Sequence, residues 1–186
     1  MVGNLLPDFT KTLQHPDYTP DVLEGIALHR FIDAFTENHP VVKQSKERIS
    51  SKRRRFSGIL IDIFYDHFLA LYWETYNTKT LSKSTQHYYY QLTITTVPIP
   101  TRLKEAIIRM PKIDLLYKYK TIQGIEHAVN RVSQRIRFEN QMHGGVEELE
   151  NNYEMLEKDF HLFFVTLQKA VKNYKSPSLE SFSHKS

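Results

Sequence analysis

Gly58-Ile59-Leu60-Ile61-Asp62-Ile63-Phe64-Tyr65-Asp66-His67-Phe68-Leu69-Ala70-Leu71-Tyr72-Trp73 is the stretch that decides how this chain reads. As a helix it is apolar almost all the way round, the pattern of a core element and not of a surface one. Two acids interrupt it: Asp62 and Asp66 lie one turn apart on a single face, and His67 follows directly. An ionised carboxylate in such surroundings is costly unless something compensates it. A basic partner, a raised pKa or a metal ion would do so, and the rest of the chain offers candidates for each.

The bulk composition narrows the setting. A chain of 186 residues with 40% apolar and 12% aromatic content is long enough for a real core and reads as one domain over residues 1–175. Disorder is expected at the ends, with a flexible tail over 176–186. No stretch approaches the roughly 20 uninterrupted apolar residues of a membrane span, and the first residues lack the pattern of a signal peptide. The absence of cysteine excludes a disulfide framework, a thiolate metal site and a thiol nucleophile. A cytoplasmic setting without membrane contact fits all of this. The formal charge of +4 suits an acidic partner, whether nucleic acid, a phosphorylated ligand or an acidic protein, and equally suits plain solvated surface.

Outward from the central helix, the pattern stays helical. Residues 3–9 read as a short turn-like opening because Pro7 interrupts them. Thr19-Pro20-Asp21 has the cap, first-position proline and early acid of a helix start, and that helix runs to Asn38. Pro40 opens a more polar helix ending in Ser50 to Arg55, and residues 77–85 read as a loop. Thr93 to Val97 has strand propensity but no evident partner strand, so residues 86–97 are expected as helix. Further helices are expected over 101–109, 112–138 and 146–174, the last with a clear stripe of Leu149, Tyr153, Leu156, Phe160, Phe163, Phe164 and Leu167. The expected fold is an all-α, single-domain helical bundle.

A second constellation, His29-Arg30-Phe31-Ile32-Asp33, places His29 and Asp33 on one helical face. With Asp62, Asp66 and His67 it supplies carboxylates and imidazoles without sulfur, a donor set for Mn²⁺, Mg²⁺, Fe²⁺ or a catalytic Zn²⁺. Asp8 could add another oxygen. Neutralisation of the acids by Arg30 and a neighbouring arginine is the competing reading, and the residues alone weigh the two equally. Lys52, Arg53, Arg54 and Arg55 read as a solvated helix end or as a patch for an acidic surface. Arg131 and Arg135 share a helical face and could clamp a phosphate, or pair with nearby acids. No Gly-rich phosphate loop or Gly-x-Ser-x-Gly is present.

Taken together, Gly3-Asn4-Leu5-Leu6-Pro7-Asp8-Phe9, Pro20-Asp21-Val22 with Gly25-Ile26, His29-Arg30-x-Ile32-Asp33 and Asp62-x-x-x-Asp66-His67-Phe68-Leu69 resemble the acyl carrier protein phosphodiesterase family, from residue 3 to about residue 170. The resemblance implies a divergent, HD-phosphohydrolase-like helical fold and a divalent metal, Mn²⁺ above others. It implies cleavage of the phosphodiester joining 4′-phosphopantetheine to a serine of acyl carrier protein, a small acidic partner, with no role for nucleic acid. His29, Asp33, Asp62, Asp66, His67 and Asp8 would then hold or orient the metal. Arg30 and Arg135 would face the phosphoryl oxygens, Asp66 or His67 would manage protons, and Lys52 to Arg55 would steer the carrier. Family members usually carry an Asn-Phe-Leu-Ala-His segment ahead of the Gly-Asn-Leu-Leu motif, which has no counterpart here before Met1-Val2-Gly3. Weaker metal binding is the expectation that follows. A phosphohydrolase of nucleotides or other small phosphoesters, and a non-catalytic module binding the carrier, are the alternatives.

Overall fold

The computed structural model describes residues 1–11, 13, 15–113 and 115–175, and the tail expected from residue 176 lies outside them. Among the described residues the chain forms eleven α-helices and no strand, which is the all-α architecture expected. They are α1 (Val2–Phe9), α2 (Pro20–Asn38), α3 (Pro40–Arg48), α4 (Ser57–Leu71), α5 (Trp73–Tyr76), α6 (Leu81–Thr93), α7 (Thr101–Ile113), α8 (Leu115–Lys118), α9 (Ile122–Arg135), α10 (Val146–Asn151) and α11 (Tyr153–Asn173), with a 3-10 turn at Arg54–Phe56 ahead of α4. The described residues cluster into two compact units. Unit 1 takes residues 1–36, 85–113 and those from 167 on, and unit 2 takes 37–84 and 114–166.

In unit 1, Val2, Leu6, Val22, Ile26, Leu92, Leu103 and Ile107 form a buried cluster. The opening segment contributes to it as a helix, not as the expected turn. Pro7 removes one backbone donor from α1, but burial of Val2 and Leu6 in the cluster offsets the loss. α1 crosses α2 at two glycines. A Cβ on Gly3 would lie 2.2 Å from the Val22 carbonyl oxygen, and one on Gly25 would lie 3.0 Å from the Gly3 Cα. The two backbones therefore touch without side chains between them. Gly3→Ala is expected to destabilise unit 1 by about 2–3 kcal/mol through overpacking, read as a lowered melting temperature.

Unit 2 is built on α4, which packs on α3 and α9. Leu60, Ile61, Phe64 and Phe68 are fully buried, and Phe68 and Tyr65 both meet the Phe160 ring of α11. α4 is not apolar all round, however. Ile59, Asp62 and Asp66, spaced three and four residues apart, form an exposed stripe along one side. Other boundaries differ from the sequence reading as well. α3 ends at Arg48, the expected helix over 112–138 is broken between α8 and α9, and Asn152 separates α10 from α11. α9 starts where the Thr121 hydroxyl accepts a hydrogen bond from the Gly124 amide at 3.1 Å.

Candidate active site

In unit 1 the glycine crossing sets the spacing of the polar groups. One turn beyond Gly25 on α2 stands His29, and one turn further stands Asp33. On α1, Asp8 projects toward the same imidazole. His29 Nε2 lies 3.0 Å from Asp33 Oδ2 and 3.8 Å from Asp8 Oδ1. The imidazole is largely covered while both carboxylates reach solvent. Burial raises the Asp8 carboxyl above the usual carboxylate range; the His29 charge opposes this and Asp33 adds to it. Arg30, the next residue, is exposed and has no ion pair among the described residues.

Among the described residues this trio brings together nitrogen and oxygen donors of the kinds a divalent ion takes. Among the described residues no three His, Asp or Glu side chains form a ready metal cage, and the trio is drawn together by its own imidazole–carboxylate pairing. Its donor chemistry nevertheless fits a hard cation. Two ligands bound at right angles at about 2.1 Å would lie about 3 Å apart, which is the separation of His29 Nε2 from Asp33 Oδ2.

In unit 2, Asp66 stands apart from the other acids. It touches solvent along the exposed stripe of α4, yet dense protein encloses its other sides. That enclosure, together with the Asp62 charge, pushes its carboxyl up to about 7. Tyr119, between α8 and α9, has its phenol raised by burial and by Asp66, while Arg131 of α9 works in the opposite direction. Asp66, Tyr119 and Arg131 are thus electrostatic neighbours. No signal in the sequence marks Tyr119. Arg135 itself is exposed in the last turn of α9.

His67 requires a correction. It is buried, its Nδ1 lies 2.7 Å from the Tyr119 carbonyl oxygen, and its Nε2 lies 2.9 Å from the Tyr153 hydroxyl. The carbonyl can only accept, so Nδ1 donates to it and Nε2 accepts from Tyr153. Neither nitrogen is left for a metal or for a proton in transit, and His67 serves as a strut tying α4 to the α8–α9 turn and to α11. Burial lowers its pKa against the opposing Tyr119 hydrogen bond and Glu157 charge. A histidine held neutral in the fold stabilises fully above its unfolded value of 6.5, and that contribution is lost as pH falls from there through the folded value. Urea unfolding from pH 8 to pH 5 should show this loss, and a His67→Phe variant should show a smaller slope.

Arg53 also departs from the surface patch in which the sequence placed it. The side chain is buried, and its guanidinium donates to Glu147 and Glu148 at 3.1 Å each, to the Gln141 carbonyl at 2.9 Å and to the His143 carbonyl at 3.3 Å. Lys52, Arg54 and Arg55 remain exposed.

Among known proteins, the chain falls with the phosphodiesterases. The family model described as acyl carrier protein phosphodiesterase matches residues 1–185, and the chain belongs to that family. Proteins named acyl carrier protein phosphodiesterase are similar along most of their length. That of Enterobacter sp. (strain 638) is 28% identical over 92% of this chain and 89% of its own. The Yersinia pestis protein is 28% identical over 93% and 90%, and the Salmonella agona (strain SL483) protein 29% identical over 87% and 84%. No solved structure matches. No helix among the described residues is long and apolar enough to cross a membrane.

Proposed function

We propose that the chain hydrolyses the phosphodiester joining 4′-phosphopantetheine to a serine of acyl carrier protein, releasing the apo-carrier. Family membership supports the substrate, and the His29–Asp33–Asp8 trio, lying within the motifs that carry the family resemblance, is the observation that supports the chemistry. In this reading His29, Asp33 and Asp8 would hold a divalent ion, Mn²⁺ first among candidates, and the scaffold is of the HD phosphohydrolase kind. Such an ion lowers the pKa of water and offsets charge on phosphoryl oxygens.

The protein groups do the remaining work. Asp33 lies against His29 Nε2 at 3.0 Å and would orient the ring, Asp8 adds its charge from 3.8 Å, and a cation there would take the place of the ring proton. Arg30 projects from the same turn of α2, and its guanidinium offers two parallel donors to a phosphoryl group. In unit 2, taken by itself, Asp66 is suited to holding a proton at neutral pH, because burial first and the Asp62 charge second push its carboxyl up to about 7. A cytoplasmic setting goes with this substrate.

The direct test is mass spectrometry of holo-acyl carrier protein incubated with the purified protein and Mn²⁺. Loss of the prosthetic group supports the reading. An intact carrier alongside cleaved nucleotides would move the activity to small phosphoesters, and carrier binding without turnover under any divalent metal would reduce the protein to a binding module.

A further inference from the structure

Arg54, Arg55 and Arg137 are exposed cations of unit 2, and among the described residues none of them has an ion pair. An exposed arginine usually needs no special account. Here, however, Arg55 lies over an aromatic ring that is itself half open to solvent, with Arg54 and Arg137 next to that pair in the chain. Phe138 is 50% exposed, the Arg55 guanidinium lies over its ring at 4.8 Å from the centroid, and Phe56 stacks alongside at 6.4 Å. Beneath this surface the buried Arg53 joins the turn before α4 to the 141–148 segment through four hydrogen bonds. The cations are therefore mounted on a braced base and not on a loose loop. Glu147 is drawn toward Arg53, and Glu139 follows Phe138 in the chain.

We propose that Arg54, Arg55, Arg137 and the edge of Phe138 form the docking platform for the acidic face of the carrier protein, an inference that rests on the function proposed above. Charge complementarity selects an acidic partner. The ring geometry favours protein over nucleic acid, since Arg55 takes one of the two faces of Phe138 on which a base would stack. The exposed half of the ring, with Arg55 over it and Arg54 and Arg137 adjacent in the chain, suits an apolar side chain flanked by carboxylates on a protein helix. Arg53, the residue the sequence grouped with this patch, supports the platform from inside and does not touch the partner.

The test uses the full chain with Arg54→Glu/Arg55→Glu and, separately, Phe138→Ala, all outside the core. Expected are a KM for holo-carrier raised about tenfold in the first variant and about fivefold in the second. The dissociation constant of apo-carrier, measured by calorimetry, should rise by similar factors, and the parent's affinity should fall with added salt. The same change of net charge at Lys104 and Lys169 serves as the comparison and should leave both constants within about twofold. Unaltered KM and apo-carrier affinity in both variants would overturn the inference while leaving the hydrolysis intact. Weakened binding of a single-stranded RNA oligonucleotide with unchanged carrier binding would overturn it in favour of nucleic acid. Failure of the parent to cleave holo-carrier at all would instead count against the proposed function, whatever the platform variants bind.

Discussion

The His29→Ala protein is expected to turn over holo-acyl carrier protein about a thousandfold more slowly than the parent, since a bound cation supplies several kcal/mol of transition-state stabilisation and each 1.36 kcal/mol is tenfold in rate. The reason is geometric. His29 is the group that both Asp33 and Asp8 face, at 3.0 Å and 3.8 Å, so its removal leaves two carboxylates with nothing to share. Activity alone would not distinguish a missing ligand from a damaged fold, and two further measurements do. Calorimetric titration with Mn²⁺ should show weakened binding in His29→Ala. The melting temperature should stay within a few degrees of the parent, because both carboxylates that His29 pairs with are open to solvent. Retained Mn²⁺ affinity with full turnover would remove His29 from the site. Asp33→Asn should produce the same pattern with a smaller loss.

The second large effect is on stability. Arg53→Met is expected to cost about 3–5 kcal/mol, the range for breaking a buried ion pair from one side. Its side chain and that of Glu148 are 5% and 6% exposed, whereas Glu147, at 62%, contributes little. The loss falls mainly on Glu148, which would keep its bonds from the Ser50 amide and hydroxyl but lose its cation. Burial is the largest influence on the Glu148 carboxyl and raises its pKa. The hydrogen bonds from Ser50 and Arg53, with the Arg53 charge, outweigh it and hold the group below its ordinary 4.5. A depressed carboxylate stabilises fully above that unfolded value, and the contribution disappears as pH drops through the folded one. The parent should therefore lose stability below about pH 4.5, and Arg53→Met should lose less there because part of that contribution is already gone. In urea titrations the Arg53→Met/Glu148→Gln double variant should recover part of the loss. A single-variant cost under about 1 kcal/mol would show the pair to be energetically idle.

Local signals were readable and distant partners were not. Thr19-Pro20-Asp21 announces the start of α2 with residues that act within one turn, and His29 and Asp33 meet because helical geometry alone brings i and i+4 together. By contrast, His67 looks like a ligand beside Asp66 until Tyr119 and Tyr153, 52 and 86 residues away, occupy both its nitrogens. Arg53 is indistinguishable from Arg54 and Arg55 in a run of four cations, and its burial is decided by acids 94 and 95 residues later. The α1 helix was hidden for another reason. Pro7 signals a break locally, but the energy that overrides it comes from the cluster of Val22, Ile26, Leu103 and Ile107. The acids of α4 were assigned to the interior because their neighbours are apolar, while an exposed stripe of Ile59, Asp62 and Asp66 needs only one side of the helix to stay uncovered.

The glycine crossing of α1 and α2 has a consequence for how this chain tolerates change in length. With Gly3 and Gly25 in backbone contact, Asp8 is delivered to His29 by counting residues along α1 from a fixed pivot. One residue inserted between Gly3 and Asp8 would swing that carboxylate about 100° around the helix axis and away from the imidazole, whereas one inserted after Phe9 would leave the pivot and the angle untouched. The reach of the candidate ligand set is thus written as a phase on a single short helix.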